Sequence, residues 1–226
     1  MLPSVANPYF ADIASSVIEE ARHRNYTTIV LDSAESPELE KDGISSLMSR
    51  QVDGIIAVPC GDDPSLFEEI NRKFIPVILI DRYFSNSMLP YITTNNYLGG
   101  IDAVNLLIMK GHSNIACIQG VVNSLPNKKR VAGYLAALDK AGIKDKALVV
   151  GNDFSIQNGY LETKLLLNKT DRPTAIFALS NTIMLGAFRA IREAGLKIPE
   201  DISLVAFDNN IYMDYMTPAI ARIGQP

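Results

Sequence analysis

The chain has 226 residues, with 21 Lys+Arg against 25 Asp+Glu and a formal net charge of -4. Hydrophobic residues make up 47% and charged residues 20%, and with 14 Gly and 12 Pro the collagen-like and disordered classes are excluded. The mild acidity argues against a grip on nucleic acid by this segment's surface charge, which needs clustered Lys and Arg.

The longest apolar runs, Phe74–Ile80 (broken by Pro76) and Ile55–Cys60, fall far short of the ~20 apolar residues of a membrane helix. The first residues, MLPSVANPYF, lack a basic start and an extended apolar core, so no export signal is read and a cytoplasmic protein is expected. Cys60 and Cys117 lie in or beside strand-like runs and form no CxxC, so two reduced thiols are expected. No HExxH or clustered His suggests a metal. His112 follows Gly111 and a helix end, where capping of carbonyls is expected.

In chain order, Ala11–Asn25 carries apolar residues at a helical period, and Thr27–Leu31 is short, β-branched and strand-like. Pro37–Arg50 reads as a helix with Ser36 as N-cap and Pro37 at its first position. Gly54–Pro59 is a buried strand, Pro64–Lys73 a short helix, Pro76–Ile80 a second buried strand and Tyr91–Thr93 a short connecting strand. Helices follow at Asn96–Lys110, Lys128–Ala141, Ser155–Asn168 and Asn181–Ala194, with Gly111, Gly142 and Gly195 closing the first, second and fourth. Between them lie strands at Ile115–Gln119, Leu148–Val150 and Ala175–Ala178, then Ser203–Phe207 and a last extended run, Ala219–Ile223.

Strand–helix alternation with continuous apolar strands predicts parallel sheets covered by helices on both faces. The series restarts near residue 94 without a disordered linker. The expected fold class is therefore α/β, with two doubly wound parallel-sheet lobes.

Ligands of such sheets bind beyond the carboxyl ends of the strands. The residues there are Asp81-Arg82, Asp153-Phe154, Ser180-Asn181 and Asp208-Asn209-Asn210, with Arg130 opening a helix after the CIQG strand. Carboxylates accept from hydroxyls, Arg and Asn donate, and an aromatic ring stacks on an apolar face; the set suits a neutral polyhydroxylated or heterocyclic ligand. Each residue also has a plainer role. Asp after a strand closes turns, Asn181 can cap its helix, Phe154 can be core and Arg130 a surface charge. GxGxxG, GxxxxGK[ST] and GxSxG are missing, so binding without catalysis is expected, and no cofactor or metal is implied.

Several segments resemble the effector-binding core of the LacI/GalR family of bacterial transcription regulators, which is similar to periplasmic sugar-binding proteins. They are NPYFADI (7–13), QVDGIIAVP (51–59), PVILIDR (76–82), GHSNIACIQG (111–120), RVAGYLAAL (130–138), RPTAIFALSN (172–181), GLKIPEDISLVAFDN (195–209) and IGQP (223–226). The resemblance implies a periplasmic-binding-protein-like type I fold with a ligand cleft between an N-terminal lobe (1–93) and a C-terminal lobe (94–223), and a return crossover starting at 224–226. It implies ligand-binding roles for Tyr9 and Phe10 facing the cleft, Asp81, Arg130 as donor to a sugar, and Phe154 as stacking ring. Asn181 is implied as helix-start amide, Asp208 as carboxylate for paired hydroxyls or a ring nitrogen, and Gln225 on the return segment. The family often has Asp at Asn95, Asn-Asp at Asn181-Thr182 and Gly-Phe-Asp-Asp at Ala206–Asn209. These departures bear on the ligand more than on the fold.

The family's helix-turn-helix and hinge are not in this sequence, and its first strand is nearly missing, so the first lobe's sheet is expected to lack part of a strand. The implied partners are a small-molecule effector (a sugar first, a nucleobase or nucleoside second), a second copy in a homodimer, and operator DNA only through the absent N-terminal domain; no membrane is implied. Ile211–Met216 (IYMDYM) is read either as core or as the dimer contact. The expected function is effector sensing for a LacI-type regulator. The alternatives are a transport-type sugar-binding protein and, with less support, an enzyme on a doubly wound fold.

Overall fold

The computed structural model describes residues 1–225, and the chain divides into two compact units, Met1–Thr94 and a second starting at Asn95. The return segment read at 224–226 ends on Pro226, which lies outside the described residues.

The first unit contains α1 (Pro8–His23), α2 (Pro37–Ser49), β1 (Ile55–Ala57), α3 (Ser65–Arg72), β2 (Val77–Ile80) and β3 (Tyr91–Ile92). Its strands pair in the order β1-β2-β3, all parallel. Local chemistry starts the helices. The Asn7 side chain accepts from the Tyr9 N–H at 3.1 Å and Ser36 from the Leu39 N–H at 3.2 Å, each followed by a proline whose missing N–H costs a first turn nothing. α1 therefore begins three residues before the apolar period becomes visible, because its first turn is spent on capping.

Ile55, Ala57, Val77 and Leu79 point inward against Ile44, Leu47, Phe67 and Ile70. One expectation is met only in part and another fails. Ile56 and Ile78 are exposed because a cavity separates them from Ile13 and Val17 of α1, which lies on that face of the sheet. Thr27–Leu31 is not a strand, although its composition favours one. A strand exists through its neighbour's hydrogen bonds, and among the described residues only the Leu31 carbonyl of this run finds one, accepting from the Leu2 N–H at 2.9 Å beside the bridge Leu2–Asp32.

The second unit contains α4 (Asn96–Met109), β4 (Ile115–Ile118), α5 (Leu125–Lys140), β5 (Leu148–Val150), α6 (Ile156–Leu167), β6 (Ala175–Ala178), α7 (Asn181–Glu193), β7 (Ser203–Phe207) and β8 (Ala221–Ile223). Short 3-10 turns lie at Lys144–Lys146, which went unread in the sequence, and at Ile211–Tyr215, within the IYMDYM turn. The strands are all parallel in the order β5-β4-β6-β7-β8. β4 and β6 are buried at every residue, as strands covered on both faces must be. β5 and β6 flank β4 on opposite sides, which places a topological switch point between the carboxyl ends of β4 and β6.

His112 caps the end of α4 through its backbone, its N–H donating to the Leu107 carbonyl at 3.1 Å. Its ring bridges the amino ends of β6 and β7, with Nδ1 2.9 Å from the Thr174 hydroxyl oxygen and Nε2 2.9 Å from that of Ser203. Both cysteines are free, with Cys117 buried in β4 and Cys60 next to the Ser33 hydroxyl at 2.8 Å. Burial pushes the Cys60 thiol up to about 12, so it stays protonated at neutral pH. The IYMDYM segment divides between the two readings. Met213 is fully buried in the core, while Ile211 is 73% and Tyr215 80% exposed. No helix among the described residues is long and apolar enough to cross a membrane.

α6 and α7 cross with their backbones nearly touching. A Cβ on Gly186 would lie 2.0 Å from the Ile156 carbonyl oxygen, and one on Gly159 would lie 2.1 Å from that of Ile183. Helix propensity favours alanine over glycine by ~1 kcal/mol. Gly186→Ala is nevertheless expected to destabilise the chain by about 2 kcal/mol or more, because the obstacle is backbone that cannot rotate away. Urea unfolding measures this; a stabilised variant would show the crossing to be looser than described.

Candidate functional site

The candidate residues collect at the carboxyl ends of the strands, as separate clusters in the two units.

In the first unit, β2 ends on Ile80 and the chain turns sharply at Asp81, whose φ is 64°. Asp tolerates this left-handed conformation better than most residues. The turn is held by backbone: the Asp81 N–H donates to the Ile92 carbonyl at 2.8 Å and its own carbonyl accepts from the Thr93 hydroxyl at 2.8 Å. The Asp81 side chain is buried and accepts from the Tyr9 hydroxyl at 3.2 Å. Tyr9 and Phe10 stand in the first turn of α1 with ring centroids 5.1 Å apart. Three predicted residues are thus brought together here.

Beside them lies a residue that the sequence reading noticed but did not select. Arg82 is buried and forms a fork with Glu35, both N–O distances 2.7 Å, with its guanidinium 5.9 Å from the Phe10 ring centroid. Burial alone would lower its pKa, yet the hydrogen bonds and charge of Glu35 outweigh that and raise it. Nothing in the spacing of residues 35 and 82 announces the pair.

In the second unit the centre is Arg130, on the second turn of α5 and only 3% exposed. Its Nε donates to the Asn96 side-chain oxygen at 2.7 Å and one terminal nitrogen to the Leu179 carbonyl at 2.6 Å. The other terminal nitrogen lies 3.4 Å from a carboxylate oxygen of Asp208, and the plane sits 3.7 Å above the Phe207 ring centroid. The surface-charge reading of Arg130 is thereby excluded. Asp208 follows β7 at a φ of 74°, the same left-handed turn that Asp81 makes after β2. It also accepts from the Gln225 side-chain amide.

Asn181 is the first residue of α7 and is 0% exposed, yet it is not the cap; the preceding Ser180 side chain accepts from the Ile183 N–H at 3.2 Å. Both polar atoms of the Asn181 amide lack a hydrogen-bond partner among the described residues. A buried amide left in this state costs roughly 1–3 kcal/mol, so it marks a place where a ligand's polar group would be welcome. Phe154 is partly buried, and its ring packs against Gly120, where a Cβ would come within 2.2 Å of it. Its carbonyl accepts from the Thr182 hydroxyl at 2.6 Å, which ties the ring's loop to the start of α7.

The structure therefore links Arg130, Asp208 and Gln225 directly, and joins the Phe154 loop to the α7 turn that carries Asn181. The sequence reading missed Asn96 and the Leu179 carbonyl, which orient Arg130. It treated Asn95 as a departure bearing on the ligand, whereas its side chain caps α4, accepting from the Leu98 N–H at 3.1 Å. Among the described residues no group of three His, Cys, Asp or Glu is placed to hold a metal.

Chemically, the second cluster offers a fixed cation–anion pair, a buried amide and an aromatic wall. The first offers a carboxylate and a phenol. Such a surface recognises hydroxyl groups and a ring face. Arg130→Met removes the cation and leaves Asp208 buried without it. A loss of about 3–5 kcal/mol is expected by chemical denaturation; a loss under ~1 kcal/mol would show that Asp208 does not need Arg130 to stay buried.

Comparison with known proteins bears on the family and the fold. The model for periplasmic binding proteins and the sugar-binding domain of the LacI family matches residues 1–212. The HTH-type transcriptional regulator DegA of Bacillus subtilis is 31% identical over 228 residues, an alignment that takes in 99% of this chain and 67% of DegA. The ribose operon repressor of Haemophilus influenzae is 30% identical, covering 100% of this chain and 68% of its own length. A solved LacI family transcriptional regulator from Enterococcus faecium with bound ribose superposes with a TM-score of 0.90 at 30% identity, covering 100% of this chain and 82% of that one.

Proposed function

Because this chain belongs to the family of periplasmic binding proteins and LacI-type sugar-binding domains, we propose that it is the effector-sensing core of a transcriptional regulator whose effector is a small sugar of the ribose type. The observation that carries the reading is the buried Arg130–Asp208 pair, with a buried Asn181 two residues after Arg130's partner Leu179 that has no hydrogen-bond partner among the described residues, on a fold whose neighbour holds ribose.

The residues proposed to bind the sugar are Tyr9, Phe10 and Asp81 in the first unit and Arg130, Phe154, Asn181, Asp208 and Gln225 in the second. Asp208 and Asp81 accept from hydroxyls, Asn181 both donates and accepts, and Phe154 covers an apolar ring face. Arg130 already has a partner on both terminal nitrogens, so its part is to hold Asp208 in place with N–H capacity left over for a sugar oxygen. The ligand influences the regulator only through its differential affinity for two states of the whole protein.

The test is a thermal shift with D-ribose and other pentoses and hexoses. A sugar at ~100 times its dissociation constant stabilises by roughly 2.7 kcal/mol. The shift is expected with at least one sugar and is expected to vanish in Asp208→Ala. Asn181→Leu sharpens the test, since it removes a buried unpaired amide. The ligand-free chain should melt higher while sugar affinity falls at least tenfold. An Asn181→Leu chain that melts lower and binds sugar normally would make Asn181 a structural residue.

A homodimer is proposed on the exposed Ile211 and Tyr215 of the turn after β7, large side chains of the kind enriched at interfaces. Tyr215→Glu is expected to convert dimer to monomer in light scattering; Met213 cannot serve, since a charge at that buried position would test the core instead. An unchanged mass for Tyr215→Glu would remove this turn from the interface.

A further inference from the structure

The ligand end of the first unit holds a single cation, and a carboxylate already occupies it. The loops at the carboxyl end of its sheet, residues 32–36, 58–64 and 81–84, carry Asp32, Glu35, Asp62, Asp63 and Asp81 against Arg82 alone. Both terminal nitrogens of Arg82 donate to Glu35 at 2.7 Å, and one also meets the Pro59 carbonyl at 3.4 Å. The remaining nitrogen, Nε, is buried without a partner among the described residues. The Arg82 side chain is 8% exposed and that of Glu35 36%, so Glu35 is the member of the pair that solvent reaches.

Holding Glu35 there takes an unusual backbone. Ala34 and Glu35 follow one another in left-handed conformation, at φ of 48° and 57°, a region that residues with a Cβ rarely occupy. Three bonds fix the loop in this shape. The Ala34 N–H donates to the Asp32 carboxylate at 2.7 Å, the Glu35 N–H to the Pro3 carbonyl at 3.0 Å and the Ser36 N–H to the Ser33 carbonyl at 2.8 Å. Such strain persists only where the surroundings over-determine it, and it gathers at ligand clamps and switches. What it achieves here is the delivery of one carboxylate to a guanidinium 47 residues away in the chain.

From this arrangement we infer that Glu35 is a specificity residue: by occupying the Arg82 fork it closes the first unit's ligand end to anionic ligands, the phosphorylated and carboxylated sugars. The inference rests on the sugar reading and says which sugars are refused. An arginine fork is the group that recognises a phosphate or carboxylate in two-pronged fashion. Here an incoming anion has to displace Glu35, which is tethered beside the fork and competes at an effective concentration that a dilute ligand does not reach. An anion that leaves Glu35 in place meets it and Asp81 as like charges, and that juxtaposition is repulsive. A neutral hydroxyl meets neither obstacle, since it donates to a carboxylate. Discrimination of this kind comes from a repulsive element rather than from an added attraction.

The test has two arms, both read by thermal shift. The first sets D-ribose against D-ribose 5-phosphate on the unmodified chain. The neutral sugar is expected to bind about tenfold more tightly or better; equal affinity, or a preference for the phosphate, overturns the inference. The second arm needs no sugar and sets inorganic phosphate against chloride at matched ionic strength. Glu35→Gly removes the carboxylate and opens the fork, and glycine adopts a φ of 57° without strain. Phosphate is expected to raise the melting temperature of Glu35→Gly and to leave the unmodified chain where chloride leaves it. The effect is expected to disappear when Arg82→Met is added to Glu35→Gly. Should Glu35→Gly not melt cooperatively, Glu35→Asn takes its place, neutral and tolerant of left-handed backbone. No phosphate effect on the variant, or one that survives Arg82→Met, overturns the inference. Phosphate behaving as expected while no sugar, phosphorylated or not, shifts the unmodified chain removes the sugar reading and upholds Glu35 as the group that keeps anions from Arg82.

Discussion

Arg130 is the constraint on which the second unit's ligand end depends. A guanidinium taken almost wholly out of water is tolerable only where hydrogen bonds and an opposite charge replace its hydration. Here the replacements come from four places: Asn96 at the start of α4, the Leu179 carbonyl beyond β6, Asp208 beyond β7, and the Phe207 ring. Because α5 delivers the cation to the carboxyl ends of β6 and β7, one side chain ties these two neighbouring strand ends together. The helices must also come close for Arg130 to reach, and glycine makes that approach possible. A Cβ on Gly133 of α5 would lie 2.3 Å from the Tyr97 carbonyl oxygen of α4.

The two units solve one problem twice. Each ends a parallel strand on a buried aspartate in left-handed conformation, Asp81 at a φ of 64° and Asp208 at 74°. An ordinary extended residue there would continue the strand. The left-handed turn instead leaves the carboxylate at the strand's end, where ligands of parallel sheets bind. The strained backbone is held by neighbours: by Ile92 and Thr93 around Asp81, and by Arg130 and Gln225 around the Asp208 side chain. Asn181, buried with no hydrogen-bond partner for its amide among the described residues, lowers stability, as unpaired buried amides do.

The units differ in how fully their sheets are covered. β4 and β6 have helices on both faces and bury every residue, whereas β1 and β2 alternate buried and exposed positions. The difference was invisible in composition, since GIIAVP and AIFAL are equally apolar. Exposure of Ile56 and Ile78 is a property of what lies opposite them, not of the residues themselves. The same holds for Thr27–Leu31, which has the side chains of a strand without the neighbours that make one.

By itself the sequence determined what depends on local chemistry and period. The helix start at Ser36, stops at Gly111, Gly142 and Gly195, the alternation of strand and helix, and the strand-end positions of Asp81 and Asp208 were legible, because caps, left-handed glycines and apolar runs act within a few residues; the start of α1 at Asn7 was not, since its first turn carries no apolar period. The family was legible too, from segments such as PTAIFA and IPEDISLVAFD. Only the tertiary structure decided which strand-end residues meet. The pairing of Arg82 with Glu35, the service of Asn96 and the Leu179 carbonyl to Arg130, the isolation of the Asn181 amide and the division of IYMDYM between core and surface all join residues distant in the chain or depend on what covers them. Their energies come from desolvation and contact, which are properties of the packed chain and leave no periodic trace in the order of its residues.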